Sequence, residues 1–261
     1  MHVLFVCNGN VCRSVIAERL TRAVAAEYGL RGLTAESAGT RALVGFGVDP
    51  VAAETISGLG ADPANFKARK LKPAMVERAH LVLAMTEQIR DEIVALAPAA
   101  RWRTFTLLEA HRIAKVSGAR TVAEIDRARD DLALVGRENI PDPVGLSARK
   151  YCEVGDHIAE ALVPLLLACT PVATSAPTSA DGRAWCCYRA GGANRPDISS
   201  ATGSDGMPEV AAKTPDTDLS SPFRAYSDYT PRRDIPPPQV DTRTGTQTCR
   251  NAFRMFRSMF M

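Results

Sequence analysis

The chain has 261 residues, a formal net charge of +3 and a hydrophobic share of 46%. That length allows one large domain or one domain with an appendage, and the near-balanced charge, with no basic stripe carrying interleaved aromatics, argues against a nucleic-acid partner. The 7 cysteines are odd in number and irregularly spaced, which argues against a secreted disulfide scaffold and for a cytoplasmic chain with reduced thiols.

The chain opens with HVLFV, His2 to Val6, a short apolar run fit for a buried parallel strand and too short for a signal peptide. A helix is predicted from Ser14 to about Ala26, with Ile16, Leu20 and Val24 on one face. LTAESAG, near residue 35, reads as a second strand, and Asp49 to Gly58 as a helix. Leu81 to Met85 is a third strand, after which Thr86 caps a helix reaching about Leu96. Arg103 to Leu107 is a fourth strand, followed by helical segments at Leu108–Ala114 and Thr121–Leu134. The loop ENIPDPVG leads into a last helix from Ser147 to about Leu167. Its end, ALVPLLLAC, is about half the roughly 20 residues a bilayer needs, so no membrane insertion is expected. Strand–helix alternation on this scale implies an α/β fold, a small parallel sheet covered on both faces.

Composition changes near Thr170. Segments such as GGANRPDISSATGSDG and RRDIPPPQVDTRTGTQT hold many prolines and little hydrophobic periodicity. Such sequence buries too little apolar surface to offset its ordering entropy. The expected division is a domain over residues 1–168 and a low-complexity, mostly disordered tail over 169–261, to which no function is assigned.

The stretch CNGNVCRS carries the chemistry. In a parallel sheet ligands bind beyond the carboxyl ends of the strands, where Cys7 stands. The following residues must turn tightly into a helix near Ser14, and Gly9 permits backbone angles that other residues resist. A loop wrapped in this way turns successive backbone N–H groups inward as an anion nest, reinforced by the helix N-terminus. Arg13 adds a planar fork suited to two phosphate oxygens. The same positive field favours the thiolate of Cys7, an in-line nucleophile on phosphorus. Asp142, stiffly presented between Pro141 and Pro143, is the candidate general acid for the leaving group. Against this stand blander readings, Cys7 as a packed core thiol and Cys7 with Cys12 as metal ligands. The latter lacks nearby partners, since the next cysteine is Cys152.

CNGNVCRS, the SAGT at Ser37 to Thr40, and the late Asp142–Pro143 together resemble the bacterial low-molecular-weight protein tyrosine phosphatases over about residues 1–168. The resemblance implies a four-stranded parallel sheet with flanking helices, a phosphotyrosine phosphatase I-like three-layer sandwich. It implies hydrolysis of phosphotyrosine or other aryl phosphate monoesters through a thiophosphate intermediate, with no cofactor and no metal. Carried across, Cys7 is the nucleophile, Arg13 the phosphate ligand and Asp142 the general acid. Asn8, Gly9, Asn10, Val11, Cys12 and Ser14 form the substrate-binding loop. Within it Asn10 holds the strained shape, Ser14 stabilises the thiolate and Cys12 traps oxidised Cys7 as a disulfide, while Ser37 supports Asn10 from outside. The implied partner is a phosphotyrosine protein, with an autophosphorylated bacterial tyrosine kinase as one such substrate.

This chain departs from the family pattern at several places. Val15 replaces a proline. Phe66 stands where many members have a histidine, which removes an expected hydrogen-bond partner of the loop. Val144 and the stretch RALVGFG stand where many members have aromatic pocket walls. Alternatives are an arsenate reductase-like activity, a phosphoarginine phosphatase, or a phospho-binding module with weak turnover. The absence of cysteines between residues 13 and 151 counts against the first. Val11 leans away from phosphoarginine.

Overall fold

Four strands form where the sequence predicts them: β1 (His2–Cys7), β2 (Thr34–Gly39), β3 (Leu81–Ala84) and β4 (Thr104–Thr106). They are seen in a computed structural model that describes residues 1–132 and 139–170. All pairings are parallel, in the order β2-β1-β3-β4, with Cys7 opposite Gly39 and Val6 opposite Ala84. The chain leaves β1 to one side for β2, then crosses to the other side for β3. That reversal opens a crevice beyond the carboxyl end of β1, the place where such sheets take ligands.

Helices cover both faces: α1 (Arg13–Glu27), α2 (Pro50–Gly58), α3 (Pro73–Arg78), α4 (Glu87–Leu96), α5 (Leu107–Ser117), α6 (Val122–Arg127), α7 (Arg129–Leu132) and α8 (Ala148–Cys169). Every residue of β1 from Val3 on is buried, yet the pleat divides them. Val3 and Phe5 pack with Ile16 and Leu20 of α1, Ile113 of α5 and Ile158 of α8. Leu4 and Val6 pack with Val76 of α3 and Ile93 of α4. Burial on both faces explains why β1 reads as a continuous apolar run rather than an alternating one.

Local signals place the helix starts. Asp49 caps α2 by accepting from the backbone N–H groups of Val51 and Ala52 at 3.0 and 3.1 Å. Thr86 caps α4, and Thr106 with Glu109 forms a capping box on α5. Each such cap contributes about 1 kcal/mol. Pro164 lies inside α8 and removes one ladder donor. The helix persists because Leu162, Val163, Leu165 and Leu166 around it are buried. No helix among the described residues is long and apolar enough to cross a membrane.

The segment predicted as one helix from Thr121 to Leu134 is instead two, α6 and α7, divided at Ala128. The break turns Arg129 inward, 3.8 Å from the Phe105 ring centroid, where it donates to the carbonyls of Arg101 and Thr104. The last residues of that prediction lie outside the described residues, as does the predicted tail from residue 171 onward. Helix α3 and a 3-10 turn at Pro98–Arg103 are additional to the predicted set; both begin at a proline, which suits a first helical position.

Candidate active site

The loop from Cys7 to Arg13 is shaped from outside by its carbonyl groups. Those of Cys7, Asn8, Gly9 and Val11 accept from the N–H groups of Thr40, Arg41, Leu43 and Asp49, at 3.1, 3.0, 3.0 and 2.9 Å. The described chain has no cis peptide bond. In a trans peptide the C=O and the following N–H point opposite ways. Anchoring those carbonyls outward therefore turns the N–H groups of Asn8, Gly9, Asn10 and Cys12 toward the concave side. One of them shows this directly: the Asn10 N–H donates to Cys7 Sγ at 3.3 Å. The result is a loop whose N–H groups share one concave side, the geometry an anion nest requires.

Asn10 takes the left-handed conformation, φ 54°, that asparagine tolerates better than most residues. Its fully buried amide is used at both ends. Oδ1 accepts from the Arg69 backbone N–H at 2.9 Å, while Nδ2 donates to Ser14 Oγ at 3.0 Å and Ser37 Oγ at 2.9 Å. Ser14 Oγ lies 2.9 Å from Cys7 Sγ. Cys7, Asn10, Ser14 and Ser37 thus share one buried network. Cys7 is only 2% exposed, but its sulfur meets polar donors as well as the hydrophobic core. Cys12 is buried beside it. Burial, and next the charge of Cys7, push the Cys12 thiol up, so it stays protonated at neutral pH.

Arg13 begins α1 and is 4% exposed, so the guanidinium is turned into the protein. Nη1 donates to the Ile140 carbonyl at 3.0 Å, and Nη2 donates to Asp142 Oδ2. The Asp142 loop is anchored in turn. Ile140 N–H donates to the carbonyl of Met85, just after β3, at 2.8 Å, and Asp142 Oδ1 accepts from Val144 N–H at 3.3 Å. The carboxylate therefore stands at the edge of the loop that carries Cys7. The two remaining candidates face elsewhere. The Asn8 side chain accepts from Arg41, and the Val11 side chain is buried in the core, so Val11 serves the loop through its carbonyl. Among the described residues, no group of three or more His, Cys, Asp or Glu side chains is placed to hold a metal ion.

The sequence profile described as "Low molecular weight phosphotyrosine protein phosphatase" matches residues 2–117. A probable low molecular weight protein-tyrosine-phosphatase, EpsP of Ralstonia nicotianae, is 37% identical over 41% of this chain and 70% of its own length. The chain belongs to this phosphatase family. Among solved structures, the low molecular weight protein tyrosine phosphatase of T. tengcongensis is similar with a TM-score of 0.50 and 28% identity, over 64% of this chain and 97% of that one. A YwlE mutant from Bacillus subtilis gives a TM-score of 0.50 and 29% identity, over 63% and 95%.

The phosphatase accommodates its departures from the family pattern in ways the fold makes plain. Phe66 leaves no gap in the network, contrary to expectation. The Arg69 backbone N–H fills the Asn10 acceptor, and the Phe66 ring instead lies 5.6 Å from the guanidinium carbon of Arg19. At position 15, valine keeps an N–H that donates to the Cys12 carbonyl at 3.0 Å, a bond proline lacks. Around the loop, Val44, Phe46 and Leu146 are exposed and Val144 is half-buried.

Three contributors escaped the sequence reading. Glu18, 1% exposed, accepts from Ser37 Oγ at 2.5 Å; on the predicted helix it falls opposite the face of Ile16, Leu20 and Val24, so nothing in the sequence set it apart from a solvent-facing carboxylate. The Arg69 main chain had no signal, because any residue supplies an N–H. Gly39 was visible only as part of SAGT. A Cβ there would lie 2.3 Å from the Asn8 carbonyl oxygen and 3.0 Å from Asn10 N. Gly39→Ala should therefore destabilise the protein by about 1–3 kcal/mol, as overpacking does, and lower activity by displacing the loop. Denaturant titration with a parallel rate measurement checks this; unchanged values of both would show that the loop yields freely.

Proposed function

We propose that the phosphatase hydrolyses phosphotyrosine in proteins, with Cys7 as nucleophile, Arg13 and the loop N–H groups as oxyanion ligands, and Asp142 as general acid. The observation that carries this reading is the convergence of Cys7 Sγ, the inward-turned loop and the Arg13–Asp142 pair at the carboxyl end of β1. In the first step Sγ bonds to phosphorus, the bond to the ester oxygen breaks, and Asp142 gives that oxygen a proton. Charge on the three equatorial oxygens is met by Arg13 and the N–H groups, which need no reorganisation to receive it. In the second step Asp142 takes a proton from water as the water attacks phosphorus, releasing phosphate and restoring the thiolate. The oxyanion and the Asp142 carboxylate compete for one guanidinium, so substrate binding loosens Asp142 from Arg13, and the released carboxylate takes up from solvent the proton that it then gives to the leaving oxygen.

Residues 1–168 form the phosphatase domain in this reading, acting in the cytoplasm on a phosphotyrosine protein such as an autophosphorylated bacterial tyrosine kinase. The named similarity of bacterial relatives to protein-tyrosine-phosphatases supports that substrate class. A second reading has one specific support: YwlE, similar to this chain at 29% identity, is described as an arginine phosphatase.

Both are tested in one comparison. The purified chain should hydrolyse p-nitrophenyl phosphate and a phosphotyrosyl peptide at rates indifferent to chelator, and vanadate should inhibit it. Faster release of phosphate from a phosphoarginyl peptide than from the phosphotyrosyl one would replace the first substrate by the second. Tight vanadate binding without hydrolysis would leave only a binding module.

A further inference from the structure

The buried network behind Cys7 has a direction, and a residue outside the predicted site sets it. A backbone N–H can only donate, so the Arg69 N–H favours the orientation of the Asn10 amide in which Oδ1 faces it, without by itself deciding where the serine protons go. Both Nδ2 hydrogens then go to Ser14 and Ser37. Each hydroxyl, already accepting, has one proton left to place. That of Ser37 goes to Glu18 Oε2, and that of Ser14 is left for Cys7 Sγ.

We propose that Glu18 is a positioning residue that keeps the Ser14 hydroxyl donating to the Cys7 sulfur, acting through Ser37 and Asn10. The proposal rests on the reading of Cys7 as a thiolate nucleophile. The competing arrangement turns the Asn10 amide over, so that Oδ1 accepts from both serines. Ser14 then spends its proton on Asn10 and stops stabilising the sulfur anion. A carboxylate at position 18 opposes this, because it accepts the Ser37 proton and cannot return one. Both of its oxygens are engaged: Oε1 pairs with Arg22 at 2.6 Å while Oε2 takes Ser37. Glutamine has a single oxygen, so either Arg22 or Ser37 would lose its acceptor. The other charged or titratable groups around this relay are Arg69, beside Ser37, and Cys12, Arg13, Asp49 and Asp142, beside the loop. None of these accepts the Ser37 proton in the structure.

The test reads the sulfur anion without turnover. Iodoacetamide alkylation of Cys7 is followed against pH by tandem mass spectrometry of the tryptic peptide Met1–Arg13, which separates Cys7 from Cys12. Glu18→Gln should move the midpoint of the Cys7 profile upward by about half to one pH unit, and slow alkylation below that midpoint by about 3–10-fold. In a Ser37→Ala background the same substitution should add no further shift, since the relay is already cut. An unmoved midpoint in folded Glu18→Gln protein, or equal shifts in both backgrounds, overturns the proposal. Should Glu18→Gln fail to fold, Ser37→Ala alone decides, because an unshifted midpoint there refutes the relay. Wild-type protein that alkylates as described yet hydrolyses no p-nitrophenyl phosphate would refute the phosphatase reading and leave the relay standing.

Discussion

Cys7→Ser should abolish phosphate release from p-nitrophenyl phosphate, with kcat falling on the order of 10^5-fold. A serine hydroxyl in the same cradle stays protonated at neutral pH and is a far weaker nucleophile than a thiolate. The anion nest is built from backbone groups and Arg13, so it should survive the change. Vanadate or phosphate should therefore still raise the melting temperature of the variant. This pairing of lost chemistry with retained anion binding separates a nucleophile from a packing residue. Truncation of a merely packed thiol would weaken folding and binding together and leave measurable turnover. Retention of more than about 1% of wild-type kcat by Cys7→Ser would remove Cys7 from the mechanism.

The second large effect belongs to Asp142. Asp142→Ala should lower kcat by about 10²–10⁴-fold, the usual contribution of a positioned acid. The loss should be greater for phenyl phosphate than for p-nitrophenyl phosphate, because a nitrophenolate leaves well without a proton and a phenolate does not. The contact with Arg13 calls for a second variant, since alanine would also free the guanidinium. Asp142→Asn keeps an oxygen for Arg13 but carries no acidic proton. Equal losses in the two variants mark Asp142 as the acid. Recovery of the rate in Asp142→Asn would reduce its role to holding Arg13 in place.

The departures from the family pattern have local physical answers. Removing a histidine did not open the loop network, since the acceptor on Asn10 is met by main chain. Replacing proline by valine added a hydrogen bond at the first turn of α1. Val44 is exposed in the stretch where many members carry an aromatic pocket wall, which is why the peptide comparison is the informative substrate test.

Much of the protein followed from sequence because the controlling interactions are short-range. The strands are apolar runs buried on both faces, the helix starts carry Asp49, Thr86 and Thr106 as caps, and the Cys7–Arg13 loop spans seven positions between a strand end and a helix start. Cys7, Asn10, Arg13 and Ser14 lie too close in sequence for the fold to separate them. The interactions that complete the site were not local. Asp142 meets Arg13 across 129 positions, the Arg69 main chain meets Asn10 across 59, and Glu18 meets Ser37 across 19. The requirement for glycine at 39 exists only because β2 is pressed against the loop leaving β1. Residue types can advertise that they donate, accept or bend, but which of them meet is decided when the sheet orders its strands and the helices fix what lies at their ends.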